Sequence, residues 1–171
     1  MILPAWRPMT RADLLTATAM GNSIFPHHHE RPEVFEERWG LFSSGCFVLQ
    51  NSDGMIGYAV SHPIALFDPP PLDSLISKID PHADSLYVHD VSILPAWQKK
   101  GLGSEAIKLL KELARGKGLL WMSLVSINDS RPFWEKHGFQ TFHFVIGDTN
   151  SSDDKIRSQG SGAVYMTTCR F

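Results

Sequence analysis

Short apolar runs alternate with helically spaced apolar positions along most of this chain. Residues 5–7, Ala-Trp-Arg, predict an opening strand ended by Pro8. Thr10-Arg11-Ala12-Asp13 then supplies side chains able to cap the free amides of a helix expected over 14–20. Pro32, which has no N–H to lose in a first turn, opens a second helix with Phe35, Trp39 and Phe42 on one face. Residues 46–50 and 55–61 are apolar runs around Asn51-Ser52-Asp53-Gly54, a pattern that predicts an antiparallel hairpin. Residues 86–94 read as a strand stopped by Pro95. A helix over 104–115 would bury Ala106, Leu109, Leu110 and Leu113 and end at Gly116 and Gly118. Residues 119–125 are almost continuously apolar, as befits a buried parallel strand after a crossover helix. Asp129 or Ser130 caps a short helix ending before Gly138, and 139–146 and 163–170 read as closing strands.

Two connections stand apart. Within 63–85, Pro69-Pro70-Pro71 precedes Leu72, Leu75, Ile76 and Ile79, the spacing of one side of a short helix. So long a connection serves either as a lid or binding loop, or as a surface excursion over a sheet edge. Residues 147–162 are polar and glycine-bounded and predict a mobile loop. The order of elements is α/β (α+β), in one domain over 1–171, with antiparallel hairpins early and late and a parallel crossover between them.

The 171 residues can bury a substantial core without disulfide or metal staples. A net charge of −2 creates no field to gather nucleic acid or anionic lipid, so neither a nucleic-acid nor a membrane partner is expected. Cys46 and Cys169 lie far apart among strand-like neighbours and read as two reduced, buried thiols. No leader pattern and no run of membrane-spanning length is present, which points to a cytoplasmic protein. His27-His28-His29 cannot all face one ion, and no Cys or carboxylate spacing completes a zinc set, so no metal is expected.

The chemistry-bearing segment is Gln98-Lys99-Lys100-Gly101-Leu102-Gly103-Ser104, between a strand and a helix. The first amides of a helix have no internal partner, and the peptide dipoles leave that end partly positive, so a pyrophosphate satisfies both. Gly101 and Gly103 let phosphate oxygens approach the main chain. A tight turn with no ligand also fits. Gly101-x-Gly103-x-x-Ala106 matches a dinucleotide fingerprint as well, but residues 95–100 separate it from the strand, and 119–125 carry no acidic residue to hold a ribose.

Residues 91–103, Val-Ser-Ile-Leu-Pro-Ala-Trp-Gln-Lys-Lys-Gly-Leu-Gly, resemble the strand, proline turn and Gln/Arg-x-x-Gly-x-Gly/Ala loop of the GNAT superfamily of acetyl-CoA-dependent N-acetyltransferases. Asn128, followed by Pro132-Phe133-Trp134-Glu135-Lys136-His137-Gly138-Phe139, is similar to a second family segment, and Arg7-Pro8-Met9-Thr10 to its usual start. The resemblance implies a mixed, mostly antiparallel sheet, flanked by helices and splayed beside the 86–94 strand. The pantetheine arm of acetyl-CoA, the acetyl donor, would lie in that gap along Val91, Ser92 and Ile93. Gln98 and the amides from Lys99, Lys100, Gly101, Leu102 and Gly103 to Ser104 would hold the pyrophosphate. Asn128 would face the arm or simply cap a helix.

Attack on the thioester needs a neutral amine, hence a base. His89, on the strand leading to the acetyl group, is the first candidate, similar to a strand histidine of the arylalkylamine N-acetyltransferase branch; a core histidine bonded to a carbonyl is the other reading. Asp90 points to the opposite face of a regular strand, and pairing with His89 would need a bulge. Trp134 stands where the family commonly places a tyrosine that protonates the leaving thiolate, and an indole N–H is no acid at neutral pH. Tyr87 or Tyr165 would have to replace it, or solvent supplies the proton. Phe25, Trp39, Phe42, Phe67 and Trp97 suit either an acceptor pocket or the core, and Glu36, Glu37 and Asp68 either a cationic amine or solvent. The expected partners are acetyl-CoA and an amine acceptor, with the chain a monomer or homodimer. A non-catalytic acyl-CoA sensor of the same fold is the competing reading.

Overall fold

The computed structural model describes residues 3–144 and 151–169. Its strands are β1 (Ala5–Pro8), β2 (Cys46–Asn51), β3 (Gly54–Ile64), β4 (Ser85–Ile93), β5 (Trp121–Ser126), β6 (Gln140–Thr141) and β7 (Val164–Cys169). Its helices are α1 (Leu14–Ile24), α2 (Pro32–Phe42), α3 (Leu102–Gly116), α4 (Arg131–Lys136) and α5 (Ser151–Arg157). The described strands form one sheet in the order β1-β2-β3-β4-β5-β7-β6. Every neighbouring pair is antiparallel except β4 with β5, so the expected mixed, mostly antiparallel sheet is present.

Side chains alternate across β2 and thereby sort the helices onto two faces. Cys46 and Val48 pack with Leu14, Ala17, Phe35 and Tyr58 beneath α1 and α2. Leu49, on the other face, packs with Ile56, Ile93 and Leu102 of α3. Farther along that side, Leu86, Val88, Ile107, Leu110, Met122 and Met166 form the main cluster. The buried stripe of α3 is Leu102, Ala106, Ile107, Leu110 and Ala114. Leu109 and Leu113, expected inside, are half-buried, because the helix meets the sheet through Ile107, Leu110 and Ala114. On α2 the buried face is Val34, Phe35 and Arg38, while Trp39 and Phe42 are half-buried.

Several expectations need correction. Residues 72–79 form no helix: Asp73 and Ser77 take left-handed φ values of 53° and 65°, which interrupt helical winding. Contacts distant in sequence hold this strap instead. Arg31 pairs with Asp73 at 2.9 Å, the Ile76 and Ser77 amides donate to the Glu37 carboxylate at 2.8 Å each, and Arg38 Nη2 donates to the Ser74 carbonyl at 2.8 Å. The expected mobile loop contains α5, pinned by Ser152 Oγ donating to the Phe67 carbonyl at 2.9 Å and by an ion pair of Lys155 with Asp68; residues 147–150 lie outside the described part. β6 has only two residues where 139–146 was expected, with 145 and 146 undescribed. Cys46 is buried and Cys169 exposed, so only one of the thiols sits in the core.

Candidate active site

The parallel pairing of β4 with β5 runs only from Ser85↔Trp121 to Tyr87↔Ser123. Beyond it the two strands part, and a cleft of about 680 Å³ opens between them. Tyr87, His89, Val91 and Ile93 border it on β4; Val125, Ile127, Asn128 and Phe133 border it on the β5–α4 side.

Within β4 the register against β3 slips, from Val60↔Asp90 to Ser61↔Val88, leaving His89 as the extra residue of a bulge. The bulge breaks strict alternation, so His89 and Asp90 both border the cleft. They nevertheless take different partners. His89 Nε2 lies 2.8 Å from Glu30 Oε2, with both side chains at most 10% exposed. Asp90 accepts from the Tyr58 hydroxyl and from Ser92 Oγ, the latter at 2.9 Å.

Glu30 is held from its main chain: its N–H donates to Asn22 Oδ1 and its carbonyl accepts from Asn22 Nδ2, each at 2.9 Å. Burial opposes its charge, but the His89 imidazole, the Asp73 amide and the Arg38 guanidinium outweigh that and hold its carboxyl below the usual carboxylate range. Arg38 is wholly buried, paired with Glu37, and its Nε has no hydrogen-bond partner among the described residues. His62, whose ring centroid is 6.2 Å from that of His89, is driven down to about 3 by burial and then by Arg38 and His89. It stays neutral, with Nδ1 placed 3.1 Å from the Pro63 carbonyl. Glu30, Arg38 and His62 were not among the candidates read from sequence. Each comes from a different element, and no local spacing connects them to His89.

Burial pushes the Asp90 carboxyl up to about 6, against the Tyr58 hydroxyl, His89 and Ser92, which favour its charge. Since the unfolded pKa is near ~3.9, the folded state holds this proton more tightly. Asp90 therefore favours the fold most below about pH 4, and its contribution falls as the pH rises through about 6. Asp90→Asn should gain on the wild type by about 2 kcal/mol between pH 4.5 and 7 in urea titrations. A parallel pH dependence of the two proteins would show that Asp90 does not titrate in this window.

At the other end of the cleft, Gly101 precedes α3 with φ +84° and Lys99 has φ +61°. A Cβ on Gly103 would lie 3.2 Å from the Phe133 ring, so the missing side chain allows α3 and α4 to approach. Gln98 Nε2 donates to the Ile93 carbonyl at 2.9 Å and ties the turn to the end of β4. Gln98, Lys99, Gly101, Gly103 and Ser104 line the cleft. Three candidates turn their side chains elsewhere: Lys100 lies over Trp97 with Nζ 4.7 Å from the ring centroid, Ser92 bonds Asp90, and Leu102 is in the core. Asn128, with φ +50°, borders the cleft and is not the helix cap, since Ser130 occupies that position.

Trp134 donates through Nε1 to Ser130 Oγ at 3.1 Å and packs on Phe139. Tyr165 accepts the Phe67 amide at 3.0 Å and does not line the cleft, whereas Tyr87 does. Tyr87 keeps its proton, its pKa raised first by burial, then by Tyr165 and Glu30. His28 lines the cleft with Nε2 2.5 Å from the Gln159 carbonyl, while His27 and His29 are exposed. Phe25 and Trp97 border the cleft. Phe42 packs on the core and Phe67 on Phe142, while Trp39 donates to the Met9 carbonyl. Glu36 pairs with Arg11, Asp68 with Lys155, and Glu37 holds the strap.

An α/β sheet split beside a single parallel strand pair, with a glycine-bounded helix start at one end of the split, defines the class. The chain belongs to the acetyltransferase (GNAT) family, whose sequence model matches residues 9–139. The loading GNATL domain of CurA from Lyngbya majuscula superposes with a TM-score of 0.77 at 17% identity, over 98% of both chains. A GNAT-like decarboxylase, GphF, in complex with isobutyryl-CoA, gives 0.73 at 18% identity over 96% of this chain and 98% of that one. At such identities the likeness is one of fold. A tRNA(Met) cytidine acetyltransferase, TmcA 2 of Saccharolobus solfataricus, is 38% identical over 55 residues, which is 31% of this chain. The chain spans only 7% of that relative's length. No helix among the described residues is long and apolar enough to cross a membrane.

Proposed function

We propose that this protein transfers the acetyl group of acetyl-CoA to the primary amine of a small molecule, by direct attack in a ternary complex. One observation carries the reading: the gap between β4 and β5 connects the Gly101 turn at one end with the buried His89–Glu30 pair at the other. The turn's amides would bind the pyrophosphate, and the unpaired edge of β4 from Val91 to Ile93 would bond the pantetheine arm as an added strand. The isobutyryl-CoA bound to the GphF decarboxylase supports an acyl-CoA as the ligand of this fold.

His89 would take a proton from the incoming ammonium, directly or through a water, while the Glu30 carboxylate fixes the ring. The freed nitrogen pair then forms the bond to the thioester carbon, and the adduct nitrogen gives its second proton to solvent. Collapse of the tetrahedral adduct breaks the C–S bond, and the electron pair leaves on sulfur. Tyr87, protonated and bordering the cleft, would donate a hydrogen bond to that sulfur, which finally takes its proton from solvent. Phe25, Leu72 and Tyr87 give the acceptor end an apolar, partly aromatic wall, which suits an arylalkylamine. A reducing, cytoplasmic setting is consistent with free Cys46 and Cys169.

The indole of Trp134, already committed to Ser130, favours a second reading, a sensor that holds acyl-CoA without turning it over. Thiol release from acetyl-CoA across a panel of amines separates the two. Amine-dependent release with multiple turnovers supports transfer; stoichiometric binding without release supports the sensor.

A further inference from the structure

We propose that the groove between α3 and the α4–β6 turn binds the 3′-phosphate of the CoA donor, a phosphate monoester. The inference rests on the reading of the main cleft as a CoA site and adds where the nucleotide end is held. The groove, of about 270 Å³, is lined by Ser104, Lys108, Lys111 and His137, together with Ile107, Glu112 and Arg115. It neighbours the main cleft: Ser104 borders both, and the adjacent residues Lys136 and His137 border one each.

Direction follows from the chemistry of the ligand. With the pyrophosphate on the amides at the start of α3 and the pantetheine arm running to His89, the adenosine end must leave the turn the other way. Ser104, in the first turn of α3, and the Lys136-His137 turn stand between the cleft and the groove in their linings. Lys108 and Lys111 of α3, with the His137 turn opposite, line the groove against a single lining carboxylate, Glu112. A phosphate monoester carries about −1.5 to −2 charges near neutral pH and suits such a surplus.

The local field points the same way. Lys111 Nζ donates to the His137 carbonyl at 2.8 Å, which brings its ammonium to the C-terminal end of α4. Ser104 Oγ lies 3.2 Å from His137 Nε2, joining the groove wall to the first turn of α3. The His137 imidazole is held below its ordinary value by burial first, then by Lys111 and Lys136. Positive charge is thus concentrated where the nucleotide end must lie, and a bound dianion would relieve it.

Calorimetric titration of the full chain with CoA and with 3′-dephospho-CoA tests the site. The wild type should prefer CoA by about tenfold or more, and added salt should narrow the preference. Lys108→Met and Lys111→Met should each lose most of that preference while binding 3′-dephospho-CoA about as well as the wild type does. Lys108 is exposed on α3, so its variant remains informative if the loss of the Lys111 contact to His137 disturbs the fold. Equal wild-type affinity for the two ligands, or a preference that survives Lys108→Met, would overturn the proposal. If neither ligand binds, the CoA reading of the main cleft fails with it, a result distinct from loss of the preference alone.

Discussion

His89→Ala should lower turnover at neutral pH by about 10²-fold or more while leaving acetyl-CoA affinity nearly unchanged. The imidazole borders the cleft beside Glu30, removed from the Gly101 turn, so on the proposed mechanism its loss would remove proton transfer and spare the phosphate contacts. Glu30→Gln should act through the same step. Glutamine keeps the shape and can still bond Nε2, but it removes the carboxylate that fixes the ring, so kcat should fall several-fold while acetyl-CoA affinity stays as it was. A purely structural Glu30 would lower the Tm and leave the kcat of the folded protein in place. Turnover unchanged in His89→Ala would remove the histidine from the mechanism.

Gly101→Val should weaken acetyl-CoA binding by about 10²-fold, for a reason other than crowding. A Cβ at Gly101 would meet nothing within 4 Å, so the folded chain has room for it. The cost lies in φ +84°, which a β-branched residue adopts only at an expense of about 1–3 kcal/mol, and in a side chain set where phosphate oxygens must approach the amides. Gly103→Val differs, because its Cβ would press on Phe133 and force α3 away from α4. Calorimetry together with a thermal melt separates these outcomes: Gly101→Val loses affinity with a modest fall in Tm, and Gly103→Val loses both. A Gly101→Val protein that binds acetyl-CoA normally would show that the pyrophosphate is held elsewhere.

The sequence made the frame of this protein legible where local chemistry decides structure. The Asn51–Gly54 turn, Pro32 at the start of α2, and the strand–turn–helix around Gly101 announce themselves within a few residues. Contacts between distant segments did not. The leucine and isoleucine spacing after the three prolines mimics a helix, yet Glu37, Arg31 and Arg38 hold that segment extended from 36 to 42 residues away. Arg38 looks like the solvent side of an aromatic helix face and is wholly buried. His89 could be singled out because it lies beside the diagnostic segment. Its partner Glu30 is 59 residues away, and only the bulge opposite Val60 and Ser61 turns the imidazole toward it. Asp90, the neighbour in sequence, went to Tyr58 and Ser92.

The claim on which the rest depends is that the cleft between β4 and β5 holds a CoA thioester by its diphosphate at the Gly101 turn. Titration of the intact protein with acetyl-CoA, followed by heat and by melting temperature, tests it most directly. The account predicts one saturable site and a rise in Tm that grows with ligand concentration. A titration to millimolar ligand with neither heat nor a shift in Tm would contradict it.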